Sequence, residues 1–152
     1  MALEDDIAFF EQVPTFAALG RQALQVLAIG AETRHLQSGT VLFYAGELSD
    51  AAYLVQEGSL TLEPGTFTER EEVIVGPGSL IGELALLTDT VSPTTAVARE
   101  QTTVVRIPRN LFRKTLEGYP AAAKSLRDLL ASRVDTWTRD LDKVRQALKK
   151  EM

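Results

Sequence analysis

The stretch between Leu36 and Ile107 constrains this chain more than any other, because it is a succession of short apolar runs: VLFY, AAYLV, SLTLE, EVIV, SLI, TAVA and TVVRI. Turn residues cut each run off: Gly39, Gly46, Gly58, Pro64 with Gly65, Gly76 with Pro77 and Gly78, and the loop from Asp89 to Pro93. Many short strands with turn signals about every 8 to 12 residues predict a sandwich or a barrel. Helical patterns bracket the block. Upstream, Phe9, Phe10, Val13 and Phe16 surround Pro14, and Leu19, Ala23, Leu24, Leu27 and Ala28 recur at helical spacing. Downstream, Pro108 suits a helix start, since its missing N–H would lack a partner there anyway. Gly118 and Pro120 read as a stop, and a long helix is predicted from about Ala121 onward.

Composition narrows the function. A length of 152 residues with 45% hydrophobic content fits one domain with one core. With no cysteine there are no disulfides, thiolate metal sites or cysteine nucleophiles. The start MALEDDIAFF is acidic where a secretory signal would be basic, and no apolar run approaches the roughly 20 residues needed to span a bilayer. No membrane partner and a cytoplasmic location are expected. The net charge of -5 argues against a nucleic-acid partner, because affinity for phosphate backbones rests on clustered Lys and Arg. That charge is uneven: residues 121–152 carry eight basic and five acidic side chains, and the body before them holds the excess acid.

Two segments sharpen the reading. GTVLFYAGELSDAAYLVQEGSLTL, from Gly39 to Leu62, resembles the front half of the cyclic-nucleotide-binding domain family: a Gly, a short apolar strand, Gly with an acid, Asp, a Tyr-containing strand, then Gly opening the next strand. GPGSLIGELALLTDTVSPTTAVA, from Gly76 to Ala98, is similar to that family's phosphate-binding cassette, and IPRNLFRKTLEGYPAAAKSLRDLLASRV to its closing helices. The resemblance implies a mainly β fold, a double-stranded β-helix or jelly roll over residues 36–107. Short N-terminal helices in 1–35 precede it and helices in 108–152 close it, as one domain. It also implies a non-catalytic sensor or regulatory domain with a cyclic nucleotide as ligand and no other cofactor.

The cassette has a physical logic of its own. Gly82 permits backbone geometry closed to other residues, and Leu84 to Leu87 are predicted to form one helical turn whose first N–H groups lack intrahelical partners. Free amides of that kind form an anion site. Glu83, at the mouth of the turn, is placed to accept a ribose hydroxyl, and its charge strengthens that bond. By resemblance the ligand-binding set is Gly82, Glu83, Leu84, Ala85, Ser92, Thr94 and Thr95, with Trp137 as a candidate lid, although its place in the apolar stripe favours packing or a dimer contact.

One departure matters. The family's binders place an Arg at the end of the cassette against the cyclic phosphate, whereas every alignment of this loop puts Ser92, Pro93 or Thr94 there. Hydroxyls contribute about 0.5 to 1.5 kcal/mol where a charged partner contributes about 1.5 to 3, so phosphate affinity falls by about one to three decades. Glu83 and a phosphodiester would also share the pocket with no side-chain cation between them, a repulsion on the order of 2 kcal/mol at about 7 Å and an effective dielectric near about 20. Weak or altered binding of cyclic AMP or cyclic GMP is the expectation. Arg70 and Arg99 remain as cations to approach from elsewhere, Arg99 the poorer because its odd spacing from Thr94 puts it on the opposite face of a strand.

Other chemistry is unsupported. His35 is the lone histidine and reads as solvated or locally bonded, so no metal site is expected. Ser59 or Ser79 could be drawn with His35 as a triad, but the G-x-S-x-G elbow is missing, and no enzymatic activity is expected. Gly76 and Gly78 read as a plain hairpin turn. Leu126, Leu130, Val134, Trp137, Leu141, Val144 and Leu148 form a stripe on the last helix. It is either a homodimer seam or a face of which the first half packs on the body and the rest covers a surface patch. No helix-turn-helix fits before Met152, so a DNA-binding regulator is expected only if the sequence is the sensor fragment of a larger one. The alternative to a sensor is a ligand-free interaction domain with an unknown protein partner.

Overall fold

The computed structural model describes the backbone of residues 3–65 and 71–151, and their side chains except those of residues 3–5, 137, 150 and 151. The elements follow the predicted order. Helices α1 (Leu3–Glu11), α2 (Pro14–Ala17) and α3 (Arg21–Gly30) lead into strands β1 (Glu32–Leu36), β2 (Val41–Phe43), β3 (Leu48–Ser49), β4 (Ala51–Glu57) and β5 (Leu60–Pro64). Strands β6 (Val73–Val75) and β7 (Leu80–Ile81), a 3-10 turn at Glu83–Leu86, then β8 (Thr90–Val91), β9 (Thr94–Ala98) and β10 (Thr102–Pro108) complete the β block, and α4 (Arg109–Gly118) and α5 (Pro120–Glu151) close the chain.

The strands form two four-stranded antiparallel sheets, ordered β1-β10-β4-β7 and β2-β9-β5-β6, with β3 and β8 paired on their own. Alternation along β10 explains why TVVRI is apolar almost without a break. Val104 points between the sheets, where it meets Val55, Leu60, Ile81, Ala96 and Ala98, while Val105 and Ile107 point outward into the helices. A strand covered on both faces carries apolar residues on both. The outer layer joins Ala52 and Leu54 of β4 to Phe10, Phe16, Leu24 and Leu27 from the N-terminal helices and to Phe112, Ala122 and Leu126 from the last two.

Three expectations change. The boundary at residues 35 and 36 shifts, because β1 begins at Glu32; its sequence ETRHL is a mostly exposed sheet edge held by β10 and lacks the apolar alternation that would reveal it. Pro108 ends β10 opposite Ala51 and precedes α4. Gly76 to Gly78 form a tight turn, with Ser79 N–H donating to Gly76 O at 3.1 Å. It is not a hairpin, since β6 pairs with β5 and β7 with β4, so the turn carries the chain from one sheet to the other.

The stripe on α5 divides. Leu126 is buried and Leu130 half-buried against the helical layer, whereas Val134, Leu141, Val144 and Leu148 are each more than half exposed. Among the described residues, the second half therefore covers no surface patch of its own chain. Among the described residues no helix is long and apolar enough to cross a membrane.

Candidate functional site

A cavity of about 590 Å³ opens beside the turn that follows β7. Its walls are Phe43, Tyr53, Leu62, Val75, Leu80, Ile81, Leu84, Val91 and Pro93, with the hydroxyl residues Ser49, Thr90, Ser92 and Thr94 around them and Gly82 and Glu83 at one edge. Of the predicted set, Gly82, Glu83, Leu84, Ser92 and Thr94 thus line one space, and Ala85 and Thr95 do not.

The turn is built by Gly82, which sits in the left-handed region at φ +78° and ψ +31°. The 3-10 turn starts at Glu83, one residue earlier than predicted, and its first bond runs from Ala85 N–H to Gly82 O at 2.9 Å. Only the Glu83 and Leu84 amides therefore precede that first internal bond, and the Ala85 amide is spent on the turn itself. Ala85 is fully buried. The Thr95 hydroxyl accepts the Ala45 N–H at 2.9 Å, which leaves its O–H as a donor.

Glu83 has partners that local sequence does not reveal. Its Oε1 accepts from Arg133 Nη1 of α5 at 3.0 Å and from the hydroxyl of Thr15 in α2, and Arg133 Nη2 lies 3.5 Å from the same hydroxyl. A side-chain cation thus stands beside the carboxylate, whereas the expectation concerned a cation between Glu83 and a phosphate, and Arg133 is not among the residues that line the cavity. The cause is helix geometry: Leu126 and Leu130 dock α5 on the helical layer, and Arg133, three residues on, shares that face. A basic residue in register with a buried apolar stripe was the signal available in the sequence.

A second tie runs to α4. Arg109 Nη1 donates to the carbonyls of Thr88 at 2.8 Å and Ala85 at 3.4 Å, its Nη2 pairs with Asp89 at 2.6 Å, and its own N–H donates to Asp50 O at 2.8 Å. The cassette is thus held by both closing helices.

The other candidates stand apart from the cavity. Arg99 donates to Ser59 Oγ at 3.4 Å, and Ser59 donates to Glu100 at 2.8 Å. Arg106 shares the Tyr53 face of its sheet and is paired with Asp50 at 3.1 Å and Glu32 at 3.5 Å. Burial opposes its charge, but the Tyr53 side chain and those two carboxylates outweigh burial and raise its pKa above the ordinary value. His35 contacts Thr103 Oγ1 at 3.2 Å, so the described partners of His35 and Ser59 do not form a triad. No group of metal-ligating side chains occurs among the described residues. Arg70 and the side chain of Trp137 lie outside the described residues.

A jelly roll with a cavity edged by a glycine-led turn, tied to a long following helix, defines a ligand-sensing regulatory domain. The family model for the cyclic nucleotide-binding domain matches residues 33–119, more than half of the chain, and the chain belongs to that family. It is 30% identical over 131 residues to the cyclic AMP receptor protein of Thermus thermophilus, an alignment covering 85% of this chain and 61% of that protein. The chain therefore spans less than two thirds of that relative's length. Among solved structures, the N-terminal domain of a transcriptional regulator from Streptomyces coelicolor superposes with a TM-score of 0.79 at 26% identity, covering 88% of this chain and 94% of the other. A cyclic nucleotide-binding-like protein from Brucella abortus superposes with a TM-score of 0.67 at 40% identity, over 74% and 98% of the two chains.

Proposed function

We propose that this domain is a non-catalytic sensor that binds cyclic AMP or cyclic GMP weakly and passes occupancy to α5. The observation that carries the reading is the Glu83 carboxylate, at the cavity edge and bonded to both Arg133 of α5 and Thr15 of α2. A ribose hydroxyl donating to Glu83 joins or displaces those bonds. The ligand then biases the position of α5 by whatever difference in affinity it has for the two arrangements. Weakness follows from Ser92, Pro93 and Thr94 standing where a guanidinium clamp would be, with only the Glu83 and Leu84 amides left to meet the phosphate.

Calorimetric titration is expected to give dissociation constants above about 1 µM for both nucleotides, a binding free energy weaker than roughly 8 kcal/mol. A tighter value for either refutes the weak-binding claim. On saturation with cyclic AMP, amide exchange in α5 around residues 126–136 is expected to change in the wild type and to change less in Arg133→Ala. An unaltered exchange pattern in the saturated wild type would remove the coupling to α5, and failure of both nucleotides to bind would favour a ligand-free interaction module instead.

We also propose that α5 is a homodimer seam, since the exposed Val134, Leu141, Val144 and Leu148 recur at intervals of seven, three and four. Light scattering is expected to report a dimer for the wild type and a monomer for the double variant Leu141→Glu, Leu148→Glu. A wild-type monomer at high protein concentration removes the seam.

A further inference from the structure

We infer that the cavity suits an uncharged, ring-containing ligand better than a phosphate ester, a refinement that rests on reading it as the sensor's ligand site. The lining supplies the reason. Most of its surface is carbon from side chains such as Phe43, Tyr53, Leu62, Leu80, Ile81 and Val91. Phe43 and Tyr53 face each other with ring centroids 5.7 Å apart at 33°, an aromatic wall against which another ring packs in an offset arrangement.

Charge points the same way. Glu83 is the only charged side chain in the lining among the described residues, and it is negative. Among the described residues the cations nearest the turn are committed elsewhere, Arg133 to Glu83 and Thr15 and Arg109 to Asp89 and two carbonyls, and Arg106, on the Tyr53 face of its sheet, is paired with Asp50 and Glu32. Among the described residues an entering anion finds no uncommitted cation and gives up water without gaining an ion pair, the transfer that costs most, whereas a neutral ring gains by leaving water. The hydroxyls of Thr90 and Thr94 remain in the lining to orient a hydroxyl or amide group on such a ligand. A volume of about 590 Å³ is ordinary for a small-molecule site.

The test compares three probes by calorimetry on the whole chain: cyclic AMP, adenosine, which keeps the base and sugar and drops the phosphate, and 1-naphthol, a neutral ring with one hydroxyl. Adenosine or 1-naphthol is expected to bind at least as tightly as cyclic AMP, and Thr94→Arg is expected to shift the ratio at least tenfold toward cyclic AMP. Cyclic AMP binding more than tenfold tighter than both neutral probes overturns the inference while leaving the sensor reading intact. Failure of both neutral probes to bind up to their solubility also overturns it, and so does a ratio that Thr94→Arg leaves unchanged, because charge at the end of the cassette then does not decide between the probes. Binding of a neutral probe that leaves α5 exchange unaltered supports the ligand class and removes the sensor mechanism.

Discussion

Phe16→Ala is expected to destabilise the chain by about 3 to 5 kcal/mol, the usual range for deleting a fully buried aromatic ring. Phe16 has no exposed surface, and its ring lies between Phe10 at 5.5 Å and Phe112 at 6.3 Å. It stands on α2, a four-residue helix far too short to hold itself, so packing rather than helix propensity keeps the segment in place. Truncation leaves a hole where α1, α2 and α4 meet, and a neighbourhood already crowded with rings closes it poorly. Urea denaturation is expected to show a lower midpoint with an unchanged slope, against a total stability of about 5 to 15 kcal/mol for such a domain. Phe16→Leu is expected to cost less, since part of the volume is kept. A loss under about 1 kcal/mol for the alanine variant would mean that this ring is not a packing centre. The neighbouring Thr15 bonds Glu83, so Phe16→Ala is also expected to loosen the cassette, weakening the α5 exchange response along with the fold.

What the sequence made legible follows the range of each interaction. The seven apolar runs became β2, β4, β5, β6, β7, β9 and β10 because short strands between glycines advertise themselves locally. β1 escaped because an exposed edge needs no apolar alternation, and β3 and β8, two residues each, are too short for any period. Gly82 and Glu83 were legible for the same local reason: a left-handed glycine and the acid after it belong to one turn.

The rest of the site was not local. Ala85 and Thr95 belong to the motif but do not line the cavity, and a motif does not say that one amide closes the turn and one hydroxyl holds Ala45. Arg133 lies 50 residues from Glu83, and only the docking of Leu126 and Leu130 brings it there. Tertiary placement thus gives the carboxylate a cationic partner, which lowers but does not cancel the repulsion expected between Glu83 and a phosphate. It leaves the missing clamp as the main ground for the weak binding proposed.

Thr94→Arg is expected to tighten cyclic AMP binding about tenfold, the ratio that corresponds to about 1.4 kcal/mol, which is the gap between a charge-assisted and a neutral hydrogen bond. Position 94 is the right one of the three. It lines the cavity at the start of β9, where pairing with Pro64 of β5 fixes the backbone, and the side chain is half-buried and has room to extend. Ser92 is worse: it is 7% exposed, its N–H donates to Glu47 O and its carbonyl accepts from Gly46 N–H, each at 2.8 Å, so a long side chain there meets a packed and bonded segment. Pro93 has its φ fixed by its own ring. Glu83 Oε1 already serves Arg133 and Thr15, so a new guanidinium that turned to Glu83 instead of the phosphate would be left with Oε2. The gain should appear for cyclic GMP as well, be absent for adenosine, and shrink as salt rises through the range where the Debye length falls below about 8 Å. Unchanged nucleotide affinity in a variant with wild-type circular dichroism would mean that the phosphate does not reach the end of the cassette, and the cause of weak binding would then lie in the shape of the cavity rather than in its charge.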